Sequence, residues 1–419
     1  MKKQLLATVS ALTLVVPGLA LAEDPIRIGV LVALEGAFAA GGSDGVRNVE
    51  LALAQRDNMA GGRPVEIVVA ATDTTPDTVV RQARRLIDQD EVDFIIGPLS
   101  GGEGIAMRDF AKTVPEMTFI NGIAGSQEMT WVDPADNFFR FNLDGAQWGQ
   151  GSGRFAVDER GWTTVASVAA DYAFGYTNFL GFAVDFCSAG GDIVERYWVP
   201  LGSADFGGVI AQLPDDVDAI YLGLGGTDAI NFLNQMQQAG AEFNIIGGTI
   251  MADATVLAAR GRVTDALEGT ITSGAFSNDN PDPAWQDYVT AYREAFPEDE
   301  RFEYPSLFGV GYYVSTLAAL EALDRVDGDL SNGQAAFMEM LATMTLETPL
   351  GPVTLNENRQ ATGSVFVNEV IRNDDGTLAN VFRARVDDVN QTLGMDPDAF
   401  RAMGAPSRTT PDCDALAGR

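Results

Sequence analysis

Ile26-Arg27-Ile28-Gly29-Val30-Leu31-Val32, with a glycine-rich turn over 36–45 behind it, is the stretch that decides the fold. A short β-branched run reads as a strand. The pattern then repeats along the chain. Residues 46–58 have helical spacing and 65–71 form a second strand. Asp73-Thr74-Thr75-Pro76 opens a helix over 77–90, and 92–97 is a third strand. After another glycine-rich turn and helix comes a fourth strand, 117–121. Strands alternating with helices at this spacing imply a parallel sheet covered on both faces.

The same rhythm restarts after Phe141. Strands are expected at 164–169, 193–198, 218–223 and 244–248, and helices at 175–189, 206–213 and 228–239. This second run is long enough to be its own lobe. A helical stretch at 307–323 and a hairpin-like pair at 365–371 and 378–386 come next, and from Asp396 the Pro- and Asp-rich tail reads as irregular. Two doubly wound lobes put glycine-rich loops at the carboxyl ends of their strands, where open α/β sheets bind ligands. Facing each other across a hinge, those loops would line one cleft.

The first residues address the chain. Lys2 and Lys3, an apolar run over 5–16, a break at Pro17-Gly18 and Ala20-Leu21-Ala22 match the three parts of a cleaved secretory signal, residues 1–22, too short to span a bilayer. No Cys follows the cleavage site, so no lipid anchor is expected, and the mature protein is expected to be soluble outside the cytoplasm. Formal charge is −32, or −34 once Lys2 and Lys3 leave with the signal. A chain this acidic repels nucleic acid and anionic membranes, and solubility is its plainest reading. There is no His, which excludes a His-based triad or zinc site. Neither a cofactor nor a metal is expected. Cys187 and Cys413 are the only cysteines, and in an oxidising compartment they read as one disulfide tying the tail to the second lobe.

Several pieces together carry a resemblance. Ile26–Leu31 with Leu34-Glu35-Gly36, Gly61-Gly62-Arg63-Pro64-Val65-Glu66, Arg84-Arg85-Leu86-Ile87, Val92-Asp93-Phe94-Ile95-Ile96-Gly97-Pro98, and Thr348-Pro349-Leu350-Gly351-Pro352-Val353 with Asn356-Glu357-Asn358 occur in an order that resembles the periplasmic leucine/isoleucine/valine-binding protein family. The match runs, with gaps, from about residue 24 to about 385. The resemblance implies a type I periplasmic binding protein: two doubly wound parallel-sheet lobes joined by a three-crossover hinge, acting as the solute receptor of an ABC importer. It puts the crossovers near Phe141-Asn142, Ser273-Gly274 and Thr348-Pro349. The lobes are then 23–141 with 274–348 and 142–273 with 349–395, and 396–419 is a tail tied to the second lobe. Its partners would be a small-molecule solute and a membrane permease, with no nucleic acid, and the chain is read as a monomer.

In branched-chain members of that family a Ser after the third strand and a Thr after the fourth hold the solute carboxylate, a Glu of the second lobe holds the ammonium, and an aromatic closes the pocket. Here the corresponding loops are Leu99-Ser100-Gly101-Gly102 and Gly122-Ile123-Ala124-Gly125-Ser126. Gly101 and Gly125 fall where the family has hydroxyls, with Ser100 and Ser126 one position away. Phe174 falls at the aromatic position with Tyr172 and Tyr176 beside it, and Thr249 stands in place of the Glu. A buried ammonium without a carboxylate partner costs several kcal/mol, so an α-amino acid loses its anchor unless Asp228 or another acid reaches it. Helix N-termini in the two loops could still hold a carboxylate, and Phe38, Tyr172, Phe174 and Tyr176 offer flat apolar walls. An aromatic or other unaminated acid therefore competes evenly with an amino acid.

Each residue has a plainer alternative. Ser100 and Ser126 can simply cap helices, Phe174 and Tyr176 can be lobe core, Asp228 reads as an N-cap, and Trp148, Trp162, Trp198 and Trp285 read as packing. Gly36-Ala37-Phe38-Ala39-Ala40-Gly41 lacks dinucleotide-loop spacing, no P-loop is present, and Ala124-Gly125-Ser126-Gln127-Glu128 is no nucleophile elbow. Catalysis is not expected. A sensor that presents its solute to a membrane receptor, or an amide- or urea-type receptor, are the other readings.

Overall fold

The computed structural model describes residues 24–259 and 263–416; the expected signal, residues 1–22, lies outside them. Two sheets organise the chain. The first runs in the order Met59–Ala60, Arg63–Thr72, Ile26–Ala33, Phe94–Ile96, Phe119–Ile120, Phe138–Phe139, parallel except for the short first strand. The second runs Leu346–Thr348, Gly351–Leu355, Ala361–Arg372, Ile271–Gly274, Ile245–Gly247, Ala219–Gly223, Thr164–Ala170, Asp192–Val199, with Leu378–Val389 also paired to Ala361–Arg372. In its parallel half every residue of Ala219–Gly223 and Ile245–Gly247 is buried, as strands covered on both faces require.

The chain passes between the two units three times. It leaves the first sheet after Phe139, returns after Gly274 to lay the helices Pro283–Ala295, Leu307–Arg325 and Ser331–Thr343 against the first unit, and crosses back just before Leu346. Tyr288 and Tyr292 donate to Asn48 Oδ1 (2.5 Å) and Asp44 Oδ1 (2.6 Å), which fastens that late segment to the first.

The expected turn over 36–45 is mostly helix. Only Gly36–Phe38 forms a tight turn, and Ala39–Ala54 is helical. The reason is packing: a Cβ at Gly45 would stand 2.8 Å from the Tyr312 ring, and one at Gly42 would overlap the Ala33 carbonyl. The glycines let the helix lie flat on its strand and against Leu307–Arg325. The tail is not irregular throughout either. Asp396 caps the helix Pro397–Ala402, accepting from Asp398 N (3.1 Å) and Ala399 N (3.0 Å), and Cys413–Leu416 is a last turn. The chain joins Cys187 to Cys413, with Cα atoms 5.3 Å apart.

At the crossings the polar groups are buried and paired. Arg140 and Asp144 are both fully buried, 3.7 Å apart. Arg140 donates to the Ser126 carbonyl (2.7 Å), to Gln360 and to Thr130. Gln360 in turn donates to Asn142 O and Gln147 Oε1, both at 2.9 Å, so the first and third crossings are stitched together. Ser273 of the second donates to the Trp148 carbonyl (2.7 Å).

Candidate functional site

The loops at the carboxyl ends of both sheets meet around a cavity of about 20 Å³. Phe38, Leu99, Ser100, Gly101, Ile123, Gly125, Trp148, Tyr172, Phe174, Ile250, Leu307 and Phe308 line it, and no acidic or basic side chain is among them. The aromatic rings are in mutual contact: Phe38 lies 6.4 Å from Tyr172 and 5.7 Å from Phe308, Tyr172 lies 6.1 Å from Phe174, and Phe174 lies 6.4 Å from Trp148. Such pairs add attraction beyond area burial.

Phe174 sits in a glycine cradle. A Cβ at Gly125 would stand 2.7 Å from its ring and 3.0 Å from Trp148, and a Cβ at Gly101 would stand 3.0 Å from the Phe174 Cβ. Gly101 and Gly125 thus make room for the ring. The two serines part ways. Ser100 caps the helix Gly101–Ala111 in a capping box, its hydroxyl accepting from Glu103 N (3.4 Å) and donating to the Thr74 carbonyl (3.1 Å). Ser126 is fully buried, and its Oγ has no hydrogen-bond partner among the described residues. That hydroxyl and Trp148 Nε1, also buried without a partner among the described residues, are polar side-chain atoms at the cradle not already engaged. The Ser126 Cβ lies 3.2 Å from where a Gly101 Cβ would stand, so both loops converge on it.

Other expected residues stand elsewhere. Ala124 is buried behind the loop, its carbonyl accepting from Asn121 (3.0 Å). Thr249 lines a second small cavity with Asp253 and Ser273, and Asn178 clamps it from both sides, donating to Thr249 Oγ1 (3.1 Å) and accepting from Thr249 N (3.0 Å). Tyr176 turns away from the cleft, its ring 4.9 Å from Trp198 and its hydroxyl on Asp171. Asp228 is not an N-cap, because Gly225 holds that place; Asp228 is buried within the first turn and accepts from Gly202 N (2.7 Å). Trp148 is both packed and cavity-lining. Ile123 and Ile250 could have been found as neighbours of the loop residues singled out, and Leu307-Phe308 as the start of an apolar helix.

Burial pushes the Tyr172 hydroxyl above the usual phenol range, and the Asp228 and Glu103 carboxylates add to it. Tyr172 therefore stays a protonated donor at the cavity wall. Gly101 and Gly102 open an eleven-residue helix, whose first N–H groups have no partner within it and whose end carries partial positive charge. The two units also touch across the cleft: Asp253 accepts from Leu307 N (2.7 Å), and Gly226, at φ +53, lies on the Ala37 carbonyl where a side chain would clash.

A family model described as periplasmic binding protein matches residues 25–377. The chain belongs to the periplasmic binding protein family. Its fold is the two-lobe type I architecture, as the resemblance implies. The Leu/Ile/Val-binding protein homolog 6 of Brucella melitensis is 24% identical over 363 residues, covering 85% of this chain and 90% of the relative. An ABC transporter substrate-binding protein from Sphaerobacter thermophilus is 29% identical, covers 88% of this chain and 99% of its own, and superposes with a TM-score of 0.77. The solute-binding protein of an ABC transporter from Rhodopseudomonas palustris BisB5, solved with 3,4-dihydroxybenzoic acid, is 26% identical with the same coverage and a TM-score of 0.79. Among the described residues of this periplasmic binding protein, no helix is long and apolar enough to cross a membrane.

Proposed function

We propose that this protein is the solute receptor of an ABC importer and that its solute is a small aromatic carboxylate. The observation that carries the reading is the cleft wall: five aromatic side chains and no carboxylate line the cavity. An α-amino acid would bring an ammonium into that wall with nothing to pair it, at a cost of several kcal/mol. A benzoate-like solute asks only for flat apolar contacts and a site for one anionic group. The N–H groups at the start of Gly101–Ala111, the Ser126 hydroxyl and the Tyr172 hydroxyl supply donors for that group. The Rhodopseudomonas palustris relative solved with a dihydroxybenzoate agrees with this choice. In this reading Phe38, Ser126, Tyr172 and Phe174 touch the solute, while Ser100 shapes its loop. The lobes are 23–141 with 274–348 and 142–273 with 349–395. They close by hinge motion over the solute, and the protein works in the periplasm after loss of residues 1–22. The role is transport, not catalysis.

The test is a thermal-shift screen of mature protein with benzoate, 4-hydroxybenzoate, 3,4-dihydroxybenzoate, leucine, isoleucine and acetamide. A hundredfold excess over the dissociation constant stabilises the folded state by roughly 2.7 kcal/mol. Shifts with the aromatic acids and none with leucine are expected. A shift with leucine alone would overturn the solute class, and no shift with any small solute would overturn the receptor role.

A further inference from the structure

We propose that the C-terminal tail is a working part of the cleft, and that Arg408 is a positioning residue for the segment carrying Tyr172 and Phe174. The tail and the segment leading into it hold residues that flank the Gly122–Ser126 loop and the Tyr172–Phe174 segment. In the segment that leads into the tail, Gln391 accepts from Gln127 Nε2 on its carbonyl (3.0 Å) and donates to Thr130 Oγ1 (2.8 Å). Phe400 then lies edge-on to Trp131, with ring centres 5.5 Å apart. Residues 127–131 directly follow the Gly122–Ser126 loop. Farther on, Arg408 makes a two-point contact with Asp171, Nε to Oδ1 at 2.8 Å and Nη2 to Oδ2. Asp171 directly precedes Tyr172. Cys413, five residues beyond, is bonded to Cys187 on the helix Ala173–Ser188, which begins beside Phe174.

An exposed ion pair alone contributes little, and the Arg408 side chain is 63% exposed. Asp171 is different: its side chain is only 14% exposed. The Tyr176 hydroxyl donates to the same carboxylate, and Asp171 N donates to Val199 O (2.7 Å). The Arg408 carbonyl is held in turn by Trp198 Nε1 (3.1 Å). The carboxylate is thus a knot joining the tail, the strand end and the helix start, one residue from the cavity wall. Removing Arg408 leaves the fold's core untouched and loosens that knot.

The solute-facing role of Tyr172 and Phe174 comes from the proposed function, so the deciding readout does not use a solute. Hydrogen exchange is followed on the oxidised mature protein and its Arg408→Ala and Arg408→Lys variants. Arg408→Ala should speed exchange of the Tyr172 and Tyr176 amides about tenfold while the strand Thr164–Ala170 keeps its protection, and Arg408→Lys should restore part of it. Unchanged protection at 172–176, or a uniform loss across the second lobe, overturns the proposal. Calorimetry with benzoate as the probe adds the functional arm. Arg408→Ala should weaken binding severalfold in the parent protein and not in a Phe174→Ala background, and equal losses in both backgrounds count against positioning. A parent protein that does not take benzoate sinks the solute class alone, and the exchange result then decides the tail.

Discussion

At the residue scale, the cleft separates two serines that the sequence leaves equivalent. Ser100 spends its hydroxyl inside a capping box, whereas the buried Ser126 hydroxyl is unengaged among the described residues. The two substitutions should therefore fail differently. Ser100→Ala is expected to lower stability by about 1 kcal/mol, as cap removal does, seen as a lower urea midpoint. Ser126→Ala is expected to leave that midpoint in place and weaken aromatic-acid affinity about tenfold, the worth of one hydrogen bond to a charged group. Calorimetry and urea unfolding on the pair check both, and a Ser126→Ala protein with parental affinity would move the anion site elsewhere. Phe174→Ala empties the Gly101–Gly125 cradle and should weaken affinity at least as much. The residue types around this site were legible, since Phe38, Gly101, Gly125, Tyr172 and Phe174 do converge on one cavity. Direction was not. Tyr176 and Tyr172 are one helical turn apart, and only the tail, with Asp171 and Trp198, explains why Tyr176 faces outward.

At the scale of elements, the hinge depends on a buried charge pair. Arg140 reaches the Ser126 carbonyl on one side and Gln360 on the other, and burial depresses its guanidinium to about 10 despite Asp144 beside it. Arg140→Ala would strand Asp144 without its cation, a change worth about 3–5 kcal/mol for a buried pair. Replacing both residues together with apolar side chains should cost less, because no lone charge is left. A double-mutant cycle by denaturant unfolding measures this, and additive losses would show that the pair is not coupled. None of this network could be read from spacing, because its members are 4, 14 and 220 residues apart. The alternation of strands and helices was legible because buried parallel strands are β-branched and their helices amphipathic. The second half of the helix Ala39–Ala54 was legible too, but its glycine-bearing first half was not, since close packing and turns ask for the same residue. The helix Pro283–Ala295 was not assigned either, although its buried Trp285, Tyr288, Val289 and Tyr292 carry helical spacing. The tail's helices were hidden by composition, because its order comes from Cys413, Phe400 and Arg408 meeting distant partners.

At the scale of the whole molecule, charge decides how stability follows pH. The full sequence carries a formal charge of −32, so partial protonation relieves self-repulsion in the compact state. Burial also raises the carboxyl groups of Glu103, Asp144, Asp185 and Asp253 above the usual range. A group raised in the folded state binds its proton more tightly there than in the unfolded chain. Its contribution is largest below the ordinary carboxylate value and declines as pH rises through its folded value. Other carboxylates act oppositely. The Thr75 hydroxyl lowers Asp73, the Arg408 guanidinium lowers Asp171, and the Thr163 and Thr164 amides lower Asp218. Their contribution is present above the ordinary value of 3.8 and is lost as pH falls through their folded values. The two sets together predict a maximum. The melting temperature should rise by roughly a few degrees from pH 7 to about pH 5, then fall steeply below about pH 4. Calorimetry across that range, at constant ionic strength so that screening does not imitate titration, checks it. A melting temperature that declines steadily from pH 7 would mean that the four buried acids stay ionised in the folded protein and that their amide and arginine partners outweigh burial.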